Sequence, residues 1–202
     1  MKLLVFSDIH NDKKALEKLL AIEADIYVCA GDLVTWARGL DDMAELLKPR
    51  ADKMYMLPGN HESETDIERV CDKYGYQNLH GKSIDRAGVH IAGLGYSSPT
   101  PFNTPGEYTE KQIAERLTPF ATLKPMVLIC HCPPKDTDLD GVKPGQHFGS
   151  QAIREFIEAY EPLRFFCGHI HECEGRDVMV GHTRGANVGK RGYLVDLTLL
   201  EA

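Results

Sequence analysis

The sequence has no apolar run long enough to cross a membrane and no recognisable secretory signal. Its first apolar segment, Leu3–Phe6, is followed at once by Ser7 and Asp8, so it is shorter than the apolar region of a signal peptide. A membrane-spanning helix needs about 20 apolar residues, and no run approaches that length. We therefore expect a cytoplasmic protein that does not act at a membrane.

An excess of basic residues is also lacking. The chain has 23 Lys and Arg against 30 Asp and Glu, which gives a formal net charge of -7. Because an acidic surface repels the phosphates of DNA and RNA, nucleic acid is not an expected partner. Bound divalent cations would offset this charge locally, so a small phosphorylated substrate remains compatible. The oligomeric state is open at this stage, with a homodimer as one alternative.

Internal repeats, low-complexity tracts and linker-like segments are absent as well. With 202 residues, of which 43% are hydrophobic, the chain is expected to form a single domain over residues 1–202. Its six cysteines are expected to be reduced, because a chain of this size needs no disulfides for stability. A zinc site at Cys130 and Cys132 is disfavoured, since alternation along an extended segment points both thiols away from His131.

Short apolar runs predict buried strands, and amphipathic stretches between them predict helices. Strands are predicted at residues 2–7, 26–30, 53–57, 82–86, 88–94, 125–130 and 163–167. Helices are predicted from Asp12 to Leu20 and at residues 40–47, 65–74, 109–117 and 150–160. The alternating order of the first half favours strands of one sheet joined by helical crossovers. The glycine-rich final segment, about 30 residues long, predicts an antiparallel sheet.

Acidic, amide and imidazole side chains stand directly after five of the predicted strands. The segments are Asp8-Ile9-His10, Gly31-Asp32, Gly59-Asn60-His61-Glu62, His131 and Gly168-His169-Ile170-His171. In sheets with helical crossovers, ligands bind outside the carboxyl ends of the strands. Carboxylate, amide oxygen and imidazole together suit hard to borderline divalent cations. The five segments therefore predict a site for two adjacent divalent cations and, with it, metal-assisted phosphoester hydrolysis.

Asp32 is the predicted bridge between the two cations. A two-metal site needs a bridging carboxylate, and Asp32 is the only acid in its loop and follows a glycine. Asp8 and His10 alternate around Ile9, so both point to one side of an extended segment. The two histidines of the last segment are spaced in the same way.

These five segments resemble the signature blocks of the calcineurin-like metallophosphoesterases, and they occur in the family's order over nearly the whole chain. The last block continues with Glu172, as in the small bacterial and archaeal members that lack a cap domain. The resemblance implies the metallo-dependent phosphatase fold, an α/β four-layer sandwich of two mixed β-sheets flanked by helices. It also implies two overlapping sets of metal ligands. One set is Asp8, His10, Asp32 and His171, and the other is Asp32, Asn60, His131 and His169.

The same resemblance implies that His61 is a catalytic histidine that binds no metal. A metal-bound or bridging hydroxide would attack phosphorus in line, and protonated His61 would donate to the leaving group or to a phosphoryl oxygen. Because the implied donor set is rich in imidazole, Mn²⁺ is the expected metal. Fe, Zn, Ni and Co are the alternatives.

Other roles compete for several of these residues. A non-catalytic scaffold of the same fold would have lost a ligand or His61, and here all of them are present. A metallonuclease is disfavoured by the acidic charge. Glu62 is expected to start a helix or to orient a ligand histidine. Trp36 is expected to pack, with stacking on a nucleobase or an aromatic leaving group as the alternative. His147 is expected to lie outside the site, with an approach to it as the alternative.

The five segments contain no Arg, and the nearby basic residues are Arg38, Lys135 and Lys143. A phosphomonoester dianion usually needs cationic side chains in addition to the metals. We therefore expect a phosphodiesterase, with a phosphomonoesterase of the same fold as the alternative. Two long predicted loops, residues 95–107 and 132–148, are expected to select the leaving group by shape.

Overall fold

Strand side chains alternate between the two faces of a sheet, and here both faces of the main strands are apolar. The computed structural model describes residues 1–200. Its strands are β1 (Lys2–Phe6), β2 (Ile26–Ala30), β3 (Met54–Leu57), β4 (Gln77–Asn78), β5 (Lys82–Arg86), β6 (Val89–Leu94), β7 (Met126–Cys130), β8 (Gly141–Lys143), β9 (Gln146–His147), β10 (Arg164–Cys167), β11 (Asp177–Val180), β12 (Thr183–Asn187) and β13 (Tyr193–Asp196). The α-helices are α1 (Lys13–Leu20), α2 (Leu40–Leu47), α3 (Glu64–Tyr74), α4 (Glu110–Leu117) and α5 (Gln151–Tyr160). Short 3-10 turns cover Lys48–Lys53, Thr118–Phe120, His171–Cys173, Gly189–Arg191 and Leu197–Leu199.

Most strands belong to two mixed sheets. The first has the order β13-β1-β2-β3-β4 and the second the order β11-β12-β10-β7-β6-β5, while β8 and β9 form a separate hairpin. Strands β1, β2 and β3 run parallel in the first sheet. Strands β6, β7 and β10 run parallel in the second. The helical crossovers predicted from the order of elements are therefore confirmed.

The apolar core has three layers. Leu4 and Phe6 of β1 face the helices of the first half in one buried cluster. Their neighbours Leu3 and Val5 face the opposite way, into a cluster that joins the two sheets. A third cluster lies between the outer face of the second sheet and helices α4 and α5. The molecule is thus a sandwich of helices, sheet, sheet and helices, and the predicted fold class is confirmed.

The final segment does not form a sheet of its own, so that expectation was wrong in part. Strands β11 and β12 do pair antiparallel, but β12 continues the second sheet beside β10, with Phe165 opposite Gly185. Strand β13 instead pairs antiparallel with β1 of the first sheet, with Leu3 opposite Val195. Without the final segment, β1 and β10 would be edge strands with unpaired backbone groups. Strand β13 pairs with β1, and β12 pairs with β10.

Side-chain caps fix where the predicted helices begin. Ser63 and Asp66 form a reciprocal capping box at the start of α3. Thr109 and Gln112 form another at α4, and Ser150 caps α5. Each cap satisfies backbone N–H groups that have no partner within the helix.

The longest helix, α3, has 11 residues, and within residues 1–200 no helix is long and apolar enough to span a bilayer.

A close backbone approach holds the loops after β2 and β3 together. Gly31 has φ +95°, and a Cβ built there would lie 2.5 Å from the Gly59 backbone and 2.6 Å from Nδ1 of His131. Glycine is the residue that tolerates such a positive φ and leaves this space free. Gly31 therefore lets strand ends from both sheets meet at one place.

We expect Gly31→Ala to be far more destabilising than Gly75→Ala. Both glycines have positive φ, but a Cβ at Gly75 meets nothing within 4 Å. Gly75→Ala should cost about 1–2 kcal/mol of backbone strain, and Gly31→Ala should add about 1–3 kcal/mol of overpacking. Urea unfolding in the presence of a chelator measures the difference. Equal losses of unfolding free energy would mean that the two loops do not meet as described.

Candidate metal centre

The side chains predicted from the five segments converge at the carboxyl ends of the parallel strands. Asp8, Asp32 and Asn60 follow strands of the first sheet, whereas His131 and His169 follow β7 and β10 of the second. The backbone of Asp8, His10, Asp32 and His169 has positive φ between 46° and 68°. Non-glycine residues rarely adopt this conformation, and it is concentrated at functional sites.

Three side chains form a first cluster, with all ligand atoms within 4.8 Å of one another: Asp8, His10 and His171. Nε2 of His10 lies 3.1 Å from Nε2 of His171. Oδ1 of Asp8 lies 3.5 Å from the His171 nitrogen and 3.9 Å from the His10 nitrogen. When both rings are deprotonated, two nitrogen lone pairs and a carboxylate meet at one point, which fits a divalent cation.

A second cluster contains Asp32, His131 and His169, with Asn60 in contact. Oδ1 of Asn60 lies 3.1 Å from Nε2 of His131 and 2.9 Å from Nδ1 of His169. Nε2 of His131 is also 3.4 Å from Oδ2 of Asp32. Two imidazoles, an amide oxygen and a carboxylate again point at a common position, so this donor set also fits a divalent cation.

Asp32 connects the two clusters. The same atom, Oδ2, lies 3.7 Å from Nε2 of His10 in the first cluster and 3.4 Å from Nε2 of His131 in the second. Its other oxygen accepts a hydrogen bond from the backbone N–H of His61 at 2.9 Å. The side chain is almost completely buried. This position between the clusters is the one that a carboxylate bridging two cations must occupy.

Neighbouring groups orient the ligand atoms. Nδ1 of His131 donates to the carbonyl oxygen of Ala30 at 2.9 Å, which leaves Nε2 facing Asp32. Nδ2 of Asn60 donates to the Thr104 hydroxyl at 3.2 Å, which turns Oδ1 toward the histidines. Such outer contacts fix the tautomer and orientation of metal-binding side chains. The Thr104 contact was not predicted, because 44 residues separate the partners.

Glu62 stabilises the backbone of the site through hydrogen bonds, none of which goes to a ligand histidine. Its carboxylate accepts N–H groups from Asp32 at 3.0 Å, Val34 at 2.9 Å and Gly59 at 2.9 Å. It therefore joins the loop after β2 to the loop after β3. Neither role expected for Glu62 is observed, since α3 begins at Glu64 with Ser63 as its cap. Burial, together with the Asp32 charge, raises the pKa of Glu62 to about 8.

Burial and the buried carboxylates set the charge of the histidines. Burial lowers the pKa of His169 to about 4, and the charge of His131 acts in the same direction. At His131 burial would also lower the pKa, but the Asp32 carboxylate raises it to about 9. The pKa of Asp8 is held well below its usual value because the His171 hydrogen bond and the His131 charge together outweigh burial. A cation in the second cluster therefore competes with a proton on His131.

His61 lies beside the two clusters and belongs to neither of them. It shares a group of ligand atoms with His10 and Asp32, and its ring centre is 5.2 Å from that of His10. The backbone N–H of Trp36 donates to Nδ1 of His61 at 3.3 Å. In the neutral ring, Nε2–H is then the available donor. The Trp36 ring packs edge-on against His61 at 5.6 Å.

Several residues considered from the sequence lie elsewhere. His147 pairs with Asp140 at 2.7 Å and lines a separate surface cavity, so it does not approach the site. The cavity above the clusters has a volume of about 400 Å³ and is not lined by Arg38, Lys135 or Lys143.

All six cysteines are buried and free, as expected, and none belongs to a group of potential metal ligands in residues 1–200.

The fold and the two clusters define a protein of the metallo-dependent phosphatase fold, and comparison with known proteins identifies its family. A sequence profile described as calcineurin-like phosphoesterase matches residues 1–173. An uncharacterized protein of Methanocaldococcus jannaschii is 34% identical over 207 residues, which cover 96% of this chain and 91% of that protein. This chain belongs to the calcineurin-like phosphoesterase family. The family depends on a dinuclear metal centre, and the chain has candidate ligands for one.

Solved structures agree with the fold. A protein of Thermus thermophilus superimposes with a TM-score of 0.70 at 18% identity, over 93% of this chain and 88% of that chain. The phosphopantetheinyl hydrolase of Mycobacterium tuberculosis superimposes with a TM-score of 0.67 at 16% identity, over 93% and 88% of the two chains. At these identities the similarity establishes a shared fold alone.

We expect Asp32→Asn to lose bound metal. If Asp32 holds both cations, removal of its charge weakens both sites, since one carboxylate oxygen faces the two clusters. After incubation with Mn²⁺ and desalting, metal analysis should find a clear loss of the metal that the wild type retains. Asp138→Asn, which removes an exposed carboxylate outside both clusters, should retain it. Wild-type metal content in Asp32→Asn would contradict the bridging position.

Proposed function

We propose that this chain is a phosphoester hydrolase that uses two divalent metal ions and prefers small phosphodiesters. The observation that carries the proposal is the position of Asp32 between two clusters of ligand atoms that open into one cavity. Membership of the calcineurin-like phosphoesterase family supports the same class of chemistry. The substrate is a small phosphorylated molecule that fits a cavity of about 400 Å³.

The proposed ligands divide between two positions. Asp8, His10 and His171 hold one cation, Asn60, His131 and His169 hold the other, and Asp32 is shared. Bound divalent ions supply Lewis-acid stabilisation of phosphoryl charge and make a water molecule acidic enough to act as a nucleophile near neutral pH. With four imidazoles among the seven side chains, Mn²⁺ suits the set better than Mg²⁺, which prefers oxygen ligands and retains its water.

His61 is the proposed proton donor. It lies beside His10 and Asp32, and the Trp36 backbone N–H holds Nδ1, so Nε2–H is the atom free to reach a substrate. A hydrogen bond from Nε2–H to a phosphoryl oxygen or to the leaving oxygen stabilises negative charge that develops there. Because Trp36 orients the ring through its backbone, replacing the indole side chain leaves this contact available.

The walls of the cavity favour a singly charged phosphate. No Lys or Arg lines it, whereas Glu172 does. A monoester dianion would meet a carboxylate there and no guanidinium or ammonium group, whereas a diester carries one charge fewer. A phosphomonoesterase remains the second candidate of the same fold. A non-catalytic scaffold is disfavoured, because His61 and every candidate ligand lie together.

We expect His61→Ala to retain metal and lose activity. General acid–base catalysis typically contributes about 10²–10⁴-fold in rate. The His61 contact with Asp32 is made by its backbone N–H, which His61→Ala retains. The measurement is kcat together with the metal content of the same sample. His182→Ala, at an exposed histidine far from the cavity, is the control. Loss of metal from His61→Ala would show that His61 is a ligand.

The preference for diesters is tested with a pair of substrates that share one leaving group. With bis-p-nitrophenyl phosphate, kcat/KM should exceed that with p-nitrophenyl phosphate by about tenfold or more, because the cavity has no cationic side chain for the second charge. Chelation should abolish both activities, and Mn²⁺ should restore them better than Mg²⁺. A clear preference for the monoester would overturn the diesterase proposal and leave the hydrolase class intact.

A further inference from the structure

Two phenylalanines are exposed at the metal centre. Of the seven in the sequence, five are buried, and the exposed ones are Phe102 and Phe148, at 71% and 47%. Both line the cavity that contains His10, Asp32 and His61. Large aromatic side chains are seldom left in water without a partner, and an exposed apolar patch beside reactive groups marks a ligand-binding surface.

Other apolar residues line the same cavity: Pro99, Pro101, Val142 and Ile170. Its polar lining consists of Ser98, Thr100, Glu172, His61 and members of the ligand clusters. A pocket with apolar walls and a few convergent polar groups is the usual form of a small-molecule site. Most of the wall comes from the two long loops that the sequence predicts to select the leaving group.

Hydrogen bonds hold the wall in place. The Ser98 hydroxyl donates to the carbonyl oxygen of Phe148 at 3.3 Å, which joins one loop to the other. The backbone N–H of Phe148 donates to the Asp140 carbonyl oxygen at 3.3 Å, and that of Phe102 donates to the Thr100 hydroxyl at 3.2 Å. The backbone that carries the two rings is therefore held in place before a ligand arrives, which reduces the entropy that the loops lose on binding.

We infer that Phe102 and Phe148 determine specificity by binding an uncharged planar ring attached to the phosphate of the substrate. Burial of a ring against two phenyl side chains is favourable, and no Lys or Arg lines the cavity to favour a negatively charged substituent on the ring. The inference rests on the proposed function in that the phosphate itself is held at the metal centre. An aryl group and a nucleobase share this chemistry.

Diphenyl phosphate and dimethyl phosphate separate the ring from the phosphate, because both are singly charged diesters. In calorimetric titrations of the manganese-loaded protein, we expect diphenyl phosphate to bind about 10–100-fold more tightly, as expected for burial of an aromatic ring. Equal affinities would overturn the inference. Adenosine 3′,5′-cyclic phosphate in a parallel titration shows whether a nucleobase takes the place of the aryl ring.

Single substitutions assign the effect to the wall. Phe102→Ala and Phe148→Ala should each lower the preference for diphenyl phosphate by about tenfold and leave the affinity for dimethyl phosphate unchanged. Phe148→Tyr keeps the ring and should keep the preference. Leu194→Ala, which removes another exposed apolar side chain outside the cavity, is the control. A parallel loss of both ligands would show that the phenylalanines only support the loops.

Hydrolysis is followed in the same samples by phosphorus NMR after chelation. Ring-dependent binding without any hydrolysis would leave the wall in place and overturn the proposed hydrolase. Hydrolysis of diphenyl phosphate with affinities that do not depend on Phe102 or Phe148 would support the proposed hydrolase and overturn the role of the two phenylalanines. The two proposals therefore fail by different observations.

Discussion

The carboxylate of Asp32 lies buried between two groups of imidazoles, and the arrangement of the site depends on positive charge being supplied there. Burial of an unpaired carboxylate is costly. Asp8 is also buried, so two carboxylates face the imidazoles of the clusters. Their charges raise the pKa of His131 to about 9 and also raise the pKa of His171. Protons that supply the positive charge occupy the histidine nitrogens, whereas divalent cations supply it and use the same nitrogens as ligands.

Packing of the two sheets brings these groups together. Asp8, Asp32 and Asn60 follow strands of the first sheet, and His131 and His169 follow strands of the second, so neither sheet contains a complete set of ligands. The apolar layer between the sheets sets their separation, and Gly31 permits the final close approach. The geometry of the site therefore depends on the packing of the core. Glu62 adds to this by accepting backbone N–H groups from the loops after β2 and β3.

Local features of the sequence were enough to predict the main strands, the helices and the candidate ligands, because an apolar run and the polar residue after it are adjacent in the chain. The partners of Glu62 and Asn60 could not be predicted, since they depend on contacts between distant segments. The division of the final strands between two sheets likewise depends on which edges are unpaired. Phe102 and Phe148 looked like ordinary loop residues, and only their exposure beside the ligands distinguishes them.

Anomalous diffraction from crystals grown with Mn²⁺ would locate the cations relative to Asp32. We expect two peaks per chain about 3.5–4 Å apart. Both should lie within bonding distance of the Asp32 carboxylate, one beside His10 and His171 and the other beside His131 and His169. A single peak, or two peaks of which only one contacts Asp32, would contradict a centre built around a shared, buried carboxylate.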